Sequence, residues 1–179
     1  MNGHERRSLQ TRTKLLDTAV ELLIEYGYAG VTSPMLCERA GMTRGALHHH
    51  FPEGKQALYT ELLKQILTNM ELSELPEEPV SRLRELLFAL QKEQREYHFI
   101  FLELVLACRS DTKLQKLAWP TVDEGLNHIL GKARGNQNEE VLMLLMMLQG
   151  AALQVLSNYR NDDAISNALN LFLEATQKS

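Results

Sequence analysis

Cysteine is nearly absent. Cys37 and Cys108 are the two in 179 residues, and they stand far apart, without the paired spacing of a zinc site or a disulfide framework. They read as reduced thiols of a cytoplasmic protein. No apolar run approaches the ~20 residues that cross a bilayer. The opening MNGHERRSLQTRTK is polar and holds no signal-peptide core. No membrane partner is expected. There is no internal repeat, no glycine-rich phosphate loop and no nucleophile elbow. Serine, histidine and acidic residues occur, but in no catalytic context, so neither an enzyme nor a cofactor is expected. Positive charge is scarce as well. The net charge is −4; residues 1–60 carry seven Lys/Arg against six Asp/Glu, and residues 61–179 twelve against seventeen. Any nucleic-acid contact must therefore rest on local geometry rather than on a large positive field.

What the chain does have is a strongly punctuated stretch from Thr32 to Phe51, TSPMLCERAGMTRGALHHHF. Thr32 and Ser33 can accept from the free N–H groups that open a helix, and Pro34 fits a first turn, where a missing donor costs nothing. Leu36, Cys37 and Ala40 share one side at helical spacing. Gly41 suits a left-handed residue ending that helix. Thr43 can cap a second helix with Ala46, Leu47 and His50 turned inward. Helix, glycine turn and helix is the layout of a helix-turn-helix, whose second helix enters the major groove.

The residue types of the second helix suit that task. Thr43 at its N-terminus can hold a phosphate oxygen. Arg44 is its one long cation and can lie bidentate on guanine. Gly45 and Ala46 are small enough to let the backbone approach the groove floor. His48, His49 and His50 are consecutive, so they point about 100° apart and cannot converge on one metal ion. His48 and His49 are expected on phosphate or sugar, with His50 partly packed. Imidazoles there would make DNA affinity sensitive to pH.

Extended on both sides, the segment GYAGVTSPMLCERAGMTRGALHHHFPEGKQAL resembles the DNA-binding domain of the TetR family of bacterial transcriptional regulators. Matching residues are Gly27, Tyr28, Thr32, Ala40, Gly41, Met42, Thr43, Leu47, His49, His50, Phe51 and Lys55. His48 replaces the usual tyrosine, and Met35 replaces an acidic residue, which removes a capping box. The FPEGK wording resembles the branch that holds the LmrA and YxaF-type regulators. The likeness covers about residues 9–69. It implies that Lys55 meets a phosphate, and with Thr32, Ser33 and the second helix it completes the expected DNA-binding set. It implies a homodimer reading an inverted-repeat operator, most simply as a repressor, and a small-molecule effector in a C-terminal domain over residues 80–179. An activator without an effector, or an all-helical protein-interaction adaptor, remains the alternative.

The rest of the chain also reads as helical, giving an all-α fold of about nine helices. Residues 1–8 look like a flexible arm carrying Arg6 and Arg7. Helix 1 is expected from about Gln10 to Tyr26, with Leu15, Leu16, Ala19, Val20, Leu23 and Ile24 inward. Helix 4 should run from about Gly54 to Met70. ELSELPEEP, residues 71–79, is the clearest break. Helices should follow over residues 80–97, 98–108 and 111–130, the last broken or kinked at Pro120. Phe88, Tyr97, Phe99, Phe101, Trp119, Met143, Met146 and Met147 can line an effector pocket, with Glu103 orienting a polar ligand. Two final helices, 138–159 and 161–176, are expected to pair with a second copy through Leu148, Gly150, Ala151, Leu153, Ile165, Leu169 and Phe172.

Overall fold

The computed structural model describes residues 3–69, 75–89, 95–157 and 167. All regular elements among them are helical: α1 (Gly3–Gly30), α2 (Ser33–Ala40), α3 (Arg44–His50), α4 (Lys55–Asn69), α5 (Pro79–Ala89), α6 (Arg95–Ala107), α7 (Thr112–Leu130), a 3-10 turn (Gly131–Ala133) and α8 (Glu139–Ser157). The fold is all-α, as the periodicity requires. The helix expected over 161–176 lies outside the described residues, apart from Asn167.

Helix α1 differs from expectation at both ends. Residues 3–8 are helical rather than a loose arm, and Arg6 and Arg7 sit exposed on the first turns. The reason is compositional: this segment holds good helix formers, no proline, and Glu5 in the first turn, where a negative charge suits the helix dipole. At the other end Gly27 adopts φ 65°, ψ 169°, which breaks the helix as foreseen and turns the last residues aside. The buried stripe is Leu15, Leu16, Ala19, Leu22 and Leu23; Ile24, expected on it, is exposed.

The chain forms two compact units. One holds residues 1–70 with 100–123, the other 71–99 with 124–179. Residues 100–123, expected in the C-terminal domain, thus cluster with the helix-turn-helix. In the first unit α1 packs on α2 and α4, and α2 on α3. Leu36, Leu47, Leu58, Tyr59 and Leu63 are fully buried there; burying each such leucine stabilises the fold by roughly 1.5–3 kcal/mol.

In the second unit α5 packs on α8 and on the 3-10 turn. Arg82 fastens this unit. Its Nε donates to the Ile129 carbonyl at 2.7 Å, Nη1 to Pro76 at 2.8 Å, and Nη2 to the His128 carbonyl. A buried guanidinium is tolerable only because its donors are taken up in this way. Asn138 caps α8, accepting from the N–H of Glu140 at 2.9 Å. Helix α7 runs through Pro120 without the expected break. Lys116 and Pro120 both lie on its exposed side, so the missing hydrogen bond falls where water can replace it.

Candidate nucleic-acid interface

The reading element is built by short-range chemistry. Thr32 Oγ1 accepts from Met35 N–H at 3.3 Å and opens α2. Gly41, at φ 65°, ψ 37°, closes it: its N–H reaches Glu38 O at 3.0 Å and that of Met42 reaches Cys37 O at 2.8 Å. An L-side chain at Gly41 would be strained in that left-handed conformation. Thr43 Oγ1 then accepts from Ala46 N–H at 3.1 Å and opens α3. Each threonine accepts through its oxygen and keeps its own O–H to donate.

Helix α3 is anchored from beneath by Leu47, which is fully buried, and by Phe51 at its end. Opposite them Thr43, Arg44, Gly45, His48 and His49 are exposed, with Ala46 and His50 half-buried. A Cβ added at Gly45 would approach only Thr43 Oγ1, at 3.7 Å. Nothing inside the fold therefore demands glycine there. Thr32 is exposed and Ser33 half-buried beside the same surface. His48 Nδ1 lies 3.3 Å from Pro52 O, a bond that forms when that nitrogen carries the proton. The His49 and His50 rings meet edge to face at 5.0 Å. Burial, the neighbouring His49 and the Arg12 charge push His50 below the usual imidazole range.

Lys55 does not reach outward as expected. Its Nζ donates to Val31 O at 2.7 Å and to Tyr28 O at 3.3 Å, and lies 4.3 Å from the centre of the Tyr28 ring. The Gly27 break leaves those carbonyls without helical donors, and a half-buried ammonium at the start of α4 takes them up. Burial holds this amine below the usual lysine value.

Glu103, expected in an effector pocket, is engaged at the same place. Its Oε1 accepts from Tyr28 N–H at 2.8 Å, a donor set free by the break at Gly27. Tyr28 Oη donates to Asp111 Oδ2 at 2.6 Å, and Gln56 Nε2 donates to the same oxygen at 2.9 Å. Asp111 Oδ1 caps α7, accepting from Lys113 and Leu114 N–H. Desolvation pushes the Asp111 carboxyl up, but the bonds from Tyr28, Leu114, Gln56 and Lys113 outweigh it and hold it at about 2. Sequence reading placed the start of this helix at residue 111 but missed the long-range partners of Asp111. It also missed Arg12, although that residue falls on the Leu15–Leu16–Ala19 stripe at helical spacing, an unusual place for a free cation.

The other expected pocket residues divide between the units. Phe101, Glu103 and Trp119 belong to the first; Tyr97, Phe99, Met143, Met146 and Met147 to the second. Tyr97, Trp119, Met143 and Met146 are exposed, while Phe99, Phe101 and Met147 are half-buried. On α8, Val141 and Leu144 are buried, whereas Leu142 and Met143 are exposed and Met146 is 66 % exposed. Leu148 is half-buried and Gly150 exposed on this helix. The side chains of Phe88, Ala151 and Leu153, and residues Ile165, Leu169 and Phe172, lie outside the described residues.

Known proteins resemble this chain in sequence and in fold. Residues 15–62 match the sequence profile described as bacterial regulatory proteins, tetR family. An uncharacterised HTH-type transcriptional regulator of Mycobacterium tuberculosis is 26 % identical over 133 residues, covering 72 % of this chain and 64 % of its own. The HTH-type transcriptional regulator AcrR of Shigella flexneri is 32 % identical over 89 residues, 46 % of this chain and 41 % of its own. The chain thus spans less than two-thirds of the length of these curated relatives. A transcriptional regulator from Saccharomonospora viridis, solved in complex with choline, has the same fold at 22 % identity, with a TM-score of 0.64 over 92 % of this chain and 96 % of that one. No helix among the described residues is long and apolar enough to cross a membrane. Residues 15–62, which hold the helix-turn-helix, thus match the tetR family of bacterial regulatory proteins.

Proposed function

We propose that the chain is a sequence-specific, DNA-binding regulator of transcription that works in the cytoplasm as a homodimer, most simply as a ligand-responsive repressor. One observation carries this reading: α3 is fastened from below by Leu47 and presents Arg44 beside the small residues Gly45 and Ala46 on its other side. A helix so anchored and so bare can lie close to base edges. Arg44 reads a guanine and Ala46 meets a thymine methyl. Thr32, Ser33, Thr43, His48 and His49 hold the phosphate backbone and fix the register, and His50 supports the end of the helix. Lys55 acts from behind, by holding the chain that enters α2.

A second copy is the proposed cover for the outward apolar side of α8, where Leu142, Met143, Met146 and Gly150 are exposed. Two-fold symmetry then makes the target an inverted repeat with half-sites about one helical turn apart. An effector acts by binding the arrangement that does not fit DNA better than the one that does. The Saccharomonospora viridis neighbour holds choline, and by that likeness a small-molecule effector is proposed for this chain.

Selection of bound duplexes from a random pool tests the reading. An inverted repeat is the expected outcome. Enrichment of no sequence, with binding that is uniform and weak, would overturn it.

A further inference from the structure

We infer that Arg12 is a positioning residue for the recognition helix: from α1 it grips the last turn of α3 and so fixes the angle at which the Arg44–His49 face meets DNA. The inference rests on the DNA-binding reading above, and it concerns a residue that lies outside the stretch matched by the family profile.

Three contacts converge on this side chain. Its Nη1 donates to the His50 carbonyl at 3.2 Å. Its Nη2 lies 3.1 Å from Glu61 Oε2 on α4. Its guanidinium stacks over the Phe51 ring, 4.6 Å from the centre. One planar group thus joins three helices and the residue that ends α3.

Helix α3 needs such a grip. It has seven residues, about two turns, far below the length at which a helix persists by itself. Its C-terminus lacks a left-handed glycine cap: Phe51 sits at φ −135°, ψ 83°, and its N–H closes one bond, to Leu47 O at 2.8 Å. The later carbonyls have no helical donors. Arg12 supplies one, and its positive charge suits the negative end of the helix dipole. Glu61 holds the guanidinium in place, and Phe51 stacking fixes its plane. The start of α3 is set by its own Thr43 cap; its end is set from α1. With one contact on each Nη and the guanidinium face on Phe51, Arg12 is assigned to α3 rather than to phosphate.

The test compares wild type, Arg12→Ala, Arg12→Lys and Glu61→Gln as full chains. Amide hydrogen exchange and imidazole NMR titration are read without DNA. Affinity for the duplex selected from a random pool is read across a salt series. In Arg12→Ala the amides from Leu47 to Phe51 are expected to exchange at least about tenfold faster, the loss of one charge-assisted hydrogen bond, while those of α1 and α4 keep their protection. His50 titrates higher, since a neighbouring positive charge is gone. Affinity falls roughly tenfold with an unchanged salt slope, because no phosphate contact is lost. Arg12→Lys, which cannot serve both acceptors and the ring, shows the same pattern more weakly. It carries the measurement if the alanine variant fails to fold.

Unchanged protection of α3 in both Arg12 variants overturns the inference. So does an affinity loss accompanied by a salt slope shallower by about one unit, which would make Arg12 a phosphate contact. If the wild-type chain enriches no duplex, the DNA-binding reading fails by itself, and the exchange and titration still decide whether Arg12 holds α3.

Discussion

Tyr28 donates its phenolic proton to Asp111 at 2.6 Å, and the two residues belong to the same compact unit although 83 positions separate them. Tyr28 follows the break that ends the long run of α1; Asp111 opens α7. With Gln56 on the same carboxylate oxygen and Glu103 on the Tyr28 N–H, the pair binds residues 100–123 to the helix-turn-helix through hydrogen bonds accepted by carboxylate oxygens.

Acid should undo this link. A carboxyl whose folded value lies below its unfolded one stabilises the fold fully above the unfolded value, and that contribution is lost as pH falls through the folded one. Asp111 is held at about 2 against an ordinary 3.8. Its contribution is present at neutral pH and disappears between about pH 4 and pH 2. Urea unfolding of wild type and Asp111→Asn across that range should show the two stabilities converging. A constant gap between them would disprove the role given to the carboxylate.

Lys55→Ala should lower the melting temperature and leave the salt slope of DNA binding near that of wild type, because Nζ is spent on Val31 and Tyr28 carbonyls. Losing a hydrogen bond from a charged donor costs about 1.5–3 kcal/mol. A variant of wild-type stability with a slope shallower by about one unit would place the amine on phosphate instead.

Arg44→Ala should relax preference at one base pair of each half-site, by about 1–3 kcal/mol of discrimination. Gly45→Ala is a sharper probe. The added methyl meets only Thr43 Oγ1, in ordinary contact at 3.7 Å, and alanine favours a helix by roughly 0.5–1 kcal/mol over glycine. Stability should hold or rise while DNA affinity drops, because the methyl stands between the helix and the groove floor. Thermal melting beside gel shift separates the two effects; equal affinity would show that α3 does not approach so closely.

Met146→Glu should release monomers. Met146 is 66 % exposed in the single chain, beside Leu142 and Met143, and a carboxylate buried in a paired interface lacks a partner. Sedimentation is expected to find wild type as a dimer and the variant as a monomer with unchanged helix content. A dimer that survives the change would move the interface elsewhere.

The helix-turn-helix was written in the sequence because its chemistry is local. Thr32, Gly41 and Thr43 each act on backbone groups within a turn or so, so their identity and spacing suffice to place α2 and α3. The buried stripe of α1 and the helical character of the whole chain follow equally from spacing, since a 3.6-residue period needs no knowledge of what lies opposite. What Lys55, Glu103, Asp111 and Arg12 would touch was decided only by the tertiary structure. Their partners are carbonyls, an N–H, a phenol and a ring brought near from 24 to 83 positions away. A long charged side chain carries no mark of whether it will meet solvent, a ligand or an orphaned backbone group. That depends on where a break such as Gly27 leaves donors and acceptors unpaired, and on which helix packs beside it.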